Sequence, residues 1–121
     1  MIIFLTAGEI IGIHDRMISV YGGLEGYPDA GRIEGMATRI INRHLYEGEQ
    51  DVYVLAAAYL LAIARGHCFN DANKRTAFAS AVLFLRRNGI IIHHAASHEE
   101  LTVKAAKGDM TVWDIAELLR K

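Results

Sequence analysis

Apolar positions along the chain recur mostly at the three-to-four-residue spacing of helices, and strand-like alternation is scarce. Thr6 and Glu9 have the spacing of a capping box, and Ile10, Ile11, Ile13, Met17 and Ile18 follow, so a first helix is predicted as far as Tyr21. A loop follows over 21–31, "YGGLEGYPDAG", where glycines cluster with the only proline. The pattern resumes from about Asp29 to Tyr46, with Ile33, Met36, Ile40 and Ile41 on its inner face. Asp51 is placed to cap a third helix through Arg65, and Gly66 suits a left-handed position at its end. A fourth helix starts at Ala72 or Asn73 and stops at Asn88-Gly89. "IIIHH" reads as a short strand or an extended connection. Ser97 with Glu100 resembles another capping box, and Thr111 opens a final amphipathic helix through Arg120. The predicted fold class is all-α: a compact single domain over 1–121, built as a bundle of about six helices.

The third and fourth helices contain "VYVLAAAYLLAIA" and "AFASAVLFL", apolar nearly all round, which makes both central. Between them lies "GHCFNDANKR", the densest polar stretch of the chain. A short turn between two buried helices is held rigidly, as chemistry requires.

The start of the fourth helix poses an electrostatic problem. A helix N-terminus carries about half a positive charge and backbone N–H groups without intrahelical partners. Acidic residues belong there, yet Asp71 is followed by Lys74 and Arg75 in the first turn. A bound anion resolves the excess, and phosphate suits N–H groups, a lysine and a forked arginine together. Asp71 beside that anion calls for an intervening cation, the part Mg²⁺ plays in many phosphate sites. His67 is then the candidate base facing a substrate. Read by itself, such a loop is more often a solvated turn with Asp71 as an ordinary cap. Cys68 beside His67 makes no nucleophile pair, because neighbouring side chains on an extended segment point apart.

Composition narrows the classes. Thirteen lysines and arginines against fourteen acids give a net charge of −1, without the basic excess of a nucleic-acid binder. Hydrophobic residues make up 52% of the chain, enough for a full core rather than a disordered tail. The single cysteine, Cys68, excludes an internal disulfide and fits a reducing compartment, so a cytoplasmic location is expected. "MIIFL" lacks the features of a signal peptide, and no apolar run reaches the ~20 residues of a membrane span.

"HCFNDANKR", His67 to Arg75, resembles the signature of the Fic/Doc family, HxFx(D/E)(G/A)N(G/K)R. "YGGLEGYPDAGR", "AIARGH" and "LFLRRNG" extend the likeness to the Doc (death-on-curing) branch, the toxins of addiction modules. The resemblance implies a small helical bundle and gives His67 the role of general base. It implies that Phe69 anchors the loop, that Asp71 binds Mg²⁺, and that Ala72, Asn73 and Lys74 shape the anion-binding turn. Arg75 would hold phosphate of ATP. Many relatives carry a second arginine where this chain has Phe78. AMP-transferring members have glycine at the position of Lys74; in Doc-type proteins the difference accompanies transfer of the γ-phosphate. The implied activity is therefore that of a protein kinase acting on a threonine of elongation factor Tu, which blocks translation. The implied partner is an antitoxin whose disordered tail folds on binding. An inhibitory motif in cis, (S/T)xxxE(G/N), is absent, because Tyr21, Ala30 and Arg43 precede the three Glu-Gly pairs.

Other readings carry less. AMP transfer is disfavoured by Lys74, and a non-catalytic nucleotide- or partner-binding module by the intact His67, Asp71 and Arg75. His93, His94 and His98 suggest a metal site, but a cap at Ser97 breaks the helical register between 94 and 98. The loop at 21–31 is mobile by composition; the resemblance makes it a flap that positions a target peptide, and a plain surface turn is an equal alternative. Arg86 and Arg87 complement a helix dipole.

Overall fold

The computed structural model describes residues 1–27, 29–66, 68–92 and 96–121, and for 96–99 the backbone only. His67, His93, His94 and the side chain of His98 lie outside the described residues.

Among the described residues six helices follow in order: α1 (Ala7–Tyr21), α2 (Ala30–Leu45), α3 (Val52–Gly66), α4 (Asn73–Arg87), α5 (Ala96–Lys107) and α6 (Val112–Arg120). No strand occurs among the described residues, and Ile90–Ile92 belong to neither helix nor strand. The all-α class holds.

Local chemistry explains most boundaries. The Thr6 hydroxyl accepts from the Glu9 amide, and the Glu9 carboxylate accepts from the Thr6 amide, which satisfies two groups at the start of α1. Thr111 and Asp114 do the same for α6. Asp29 receives the Gly31 amide at the start of α2, and Asp51 the Tyr53 amide at that of α3. Asn88 and Gly89 end α4, Gly89 taking a φ of 88° that glycine adopts without steric cost.

Two expected boundaries differ. Gly66 is the last residue of α3 and lies outside the left-handed region; among the described residues of this junction, Ala72 is left-handed. Ser97 is not the N-cap of α5, because the helix already runs at Ala96.

The core centres on α3, which packs against α2, α4, α5 and α6; α4 packs in turn against α1 and α5. Leu55, Tyr59, Leu60 and Ile63 of α3 meet Ala77, Ala81, Phe84 and Leu85 of α4 in one buried cluster. The inner face of α2 is Ile33, Met36, Ala37 and Ile40, with Ile41 half-buried beside it. The buried stripe of α1 is Ile10, His14 and Ile18, so a histidine occupies the middle of an apolar face. Tyr59 reaches from α3 to the N-terminal segment, where its hydroxyl accepts from the Leu5 amide at 3.0 Å and donates to the Leu5 carbonyl at 3.2 Å. Arg87 pairs with Glu9, and Arg120 with Asp51 at 2.7 Å, joining α4 to α1 and α6 to α3. No helix among the described residues is long and apolar enough to cross a membrane.

Candidate active site

The junction between α3 and α4 is knotted by its own side chains. Phe69 is buried, as expected of an anchor, with its ring stacked on His14 at 3.9 Å and 5° and met edge-on by Tyr27. The Asn73 side chain turns back to Phe69: Oδ1 accepts from its amide at 3.1 Å, and Nδ2 donates to its carbonyl at 3.0 Å. That reciprocal pair closes a tight turn immediately before the helix. Cys68 is buried, and burial pushes its thiol up, against the opposing pull of Arg32 and Arg39. It packs in the core, away from the exposure that a reactive thiolate needs.

Asp71 does not cap α4 with its side chain. The cap position belongs to Ala72, at φ 62° and ψ 25°, and no side chain there bonds the helix. A non-glycine residue in this region costs about 1–2 kcal/mol, so the surroundings must hold it. They do so at Asp71, whose Oδ1 accepts from the Ala72 amide at 2.8 Å. Oδ2 accepts from the Leu24 amide at 3.1 Å, and the main-chain carbonyl accepts from His14 Nε2 at 2.9 Å. The Leu24 and Ala72 amides hold the Asp71 carboxyl below the usual carboxylate range, so it is ionised at neutral pH.

The glycine-rich segment is thereby fastened to the junction. Besides the Leu24–Asp71 bond, the Asn70 amide donates to the Gly26 carbonyl and the Asn70 side chain to the Glu25 carbonyl. The approach is so close that a Cβ on Gly23 would lie 2.6 Å from Asp71 Oδ2. Glycine is required there.

Lys74 and Arg75 are exposed in the first turn of α4, and both line one groove of about 760 Å³. Met17 and Tyr21 of α1, Phe78, Val82 and Arg86 of α4, and Thr102 and Val103 of α5 line it as well. Arg75 lies over the Tyr21 ring, 5.0 Å from the centroid. The two cations of the first turn of α4 thus line the same groove as the apolar side chains of Phe78, Val82 and Leu83. Such a place suits an anionic group attached to an apolar body. Asp71 is not among the groove's lining residues; its carboxylate faces the glycine-rich segment.

The expected site residues Asp71, Ala72, Asn73, Lys74 and Arg75 therefore share one turn, while His67 lies outside the described residues. The sequence reading missed His14, Tyr21 and the Leu24 amide. His14 carried a usable signal, because 10, 14 and 18 form one helical stripe. Among the described residues, no three His, Cys, Asp or Glu gather as they would to hold a metal.

The profile of the Fic/DOC family matches residues 4–85, which include α1 to α3, the turn and α4 as far as Leu85. The chain belongs to this family. It is also 50% identical, over 117 residues, to the "Protein kinase doc" of Escherichia phage P1, an alignment covering 97% of this chain and 93% of that protein.

Proposed function

We propose that this chain is a Doc-type toxin that transfers the γ-phosphate of ATP to a threonine hydroxyl of elongation factor Tu. The observation that carries the reading is the start of α4: a helix without a side-chain cap, with Lys74 and Arg75 on the same groove. Identity of 50% to a protein named as a kinase supports the type of transfer.

In this reading His67 takes the proton of the threonine hydroxyl as its oxygen bonds to the γ-phosphorus. The bond from that phosphorus to the bridging oxygen breaks, and ADP leaves. Lys74, Arg75 and the α4 N–H groups hold the phosphates and stabilise the charge that develops on the moving group. Ala72 and Asn73 set the direction of those N–H groups. Asp71 fits Mg²⁺: it is ionised, and each oxygen has accepted one N–H and keeps a lone pair. One carboxylate with the nucleotide's own phosphates is an ordinary way of holding this ion. When bound, Mg²⁺ neutralises phosphate charge. Residues 1–121 act as one Fic/Doc-like domain in the cytoplasm. An antitoxin with a disordered tail restrains it, and no nucleic-acid contact is involved.

Lys74 favours phosphoryl over AMP transfer, because a lysine side chain fills space that a glycine leaves to a diphosphate. ATP labelled separately on the α- and γ-phosphates, incubated with Mg²⁺, elongation factor Tu and the protein, tests the reading. Label from the γ-position alone is expected on the target. Label from the α-position means AMP transfer, and label from neither leaves a binding module.

A further inference from the structure

We infer that His14 positions the Asp71–Ala72 peptide, and through it sets the geometry in which Asp71 and the start of α4 receive metal and nucleotide. The inference rests on the functional reading above and adds to it a residue from outside the signature.

His14 is fully buried in the middle of α1, where the stripe of Ile10 and Ile18 calls for an apolar residue. A histidine in that place needs a polar partner. It has one 57 residues further along the chain: Nε2 lies 2.9 Å from the Asp71 carbonyl oxygen. A carbonyl only accepts, so Nε2 carries the hydrogen and donates it. The other ring nitrogen is 3.3 Å from the solvent-exposed Asp15 carboxylate. The ring face stacks almost parallel on Phe69. One side chain therefore holds both the anchor of the loop and the peptide bond that follows its carboxylate.

That peptide is the sensitive one. Its carbonyl is held by His14 and its N–H by Asp71 Oδ1, so both ends of the plane are fixed. It leads directly into Ala72, the only non-glycine residue at positive φ among the described residues, and α4 starts at the next residue. Rotating the plane would move the Asp71 carboxylate and the first N–H groups of α4 together. The bond between α1 and this peptide couples the turn to a rigid helix as well as to its own neighbours.

The test separates the donor from the ring. His14→Phe keeps the stacking and removes the donor; His14→Leu removes both and guards against a single variant that fails to fold. His14→Gln restores an N–H at similar reach. In the full-length protein, amide exchange over residues 68–76 is followed by NMR, alongside the Mg²⁺ concentration giving half-maximal transfer. Losing one hydrogen bond at this peptide is expected to raise that concentration about fivefold to tenfold in the Phe and Leu variants. Exchange over 68–76 should quicken in both, by more than the fall of a few degrees in melting temperature produces elsewhere in the chain, and His14→Gln should recover most of the loss. Wild-type exchange in the donor-less variants overturns the inference. So does faster exchange with an unaltered Mg²⁺ requirement, which would make His14 structural only. A wild-type protein that transfers nothing defeats the functional reading and the catalytic half of this one, while exchange still decides whether His14 holds the turn.

Discussion

The Leu24 amide donates to Asp71 Oδ2 at 3.1 Å, and this bond joins the glycine-rich segment to the carboxylate that opens the α4 turn. Gly23, at φ +128°, passes so close that any side chain would strike the carboxylate. Gly23→Ala should therefore break the contact at a cost of about 1–3 kcal/mol. Limited proteolysis should then cut within 22–27 faster than in the wild type, and the transfer rate should fall. Unchanged cleavage would mean that the segment does not depend on this approach.

Tyr21 sets the direction of Arg75. Removing the ring in Tyr21→Ala gives up a cation–π contact of about 0.5–1 kcal/mol, so nucleotide affinity should weaken about twofold to fivefold. Tyr21→Phe keeps the ring face and should bind as the wild type does. Calorimetric titration with Mg²⁺ and a non-hydrolysable ATP analogue makes the comparison.

His67→Ala should abolish transfer to the target and relieve toxicity in cells, while the circular dichroism spectrum and melting curve stay those of the wild type. Toxicity retained by a folded variant would remove His67 from the mechanism.

Tyr59→Phe removes the hydroxyl that satisfies both the amide and the carbonyl of fully buried Leu5. Leaving these groups without partners should cost about 1–3 kcal/mol, or about 5–10 °C in melting temperature. Activity measured well below the melting temperature should be little affected, because Tyr59 packs against Phe84 near the end of α4 while the turn lies at its start.

Glu9 predicts how stability depends on pH. The Thr6 amide, and after it Arg87, hold its carboxyl below the ordinary value of 4.5. A depressed pKa in the folded state gives stability that is full above the unfolded value and is lost as pH falls through the folded one. Chemical denaturation between about pH 6 and about pH 3 should show a decline that Glu9→Gln makes shallower. The decline should not vanish, because Asp51 and Asp114 are depressed as well.

Where helices begin and end was written largely in local chemistry. Thr6 with Glu9, Asp29, Asp51, Asn88-Gly89 and Thr111 act on amides and carbonyls within a few residues of themselves, so sequence spacing sufficed to find them. The signature turn could be read for the same reason: Asp71, Asn73, Lys74 and Arg75 are neighbours in sequence before they are neighbours in space. Gly66 and Ser97 misled, because each lies inside the helix whose boundary it was expected to mark. Beyond the local Asn73–Phe69 and Asp71–Ala72 bonds, what holds the turn was decided by the fold. His14 and Leu24 act on Asp71 from 57 and 47 residues away, and Tyr21 reaches Arg75 from a different helix. Contacts of that range leave no spacing along the chain, since they exist only after α1 has packed against α4.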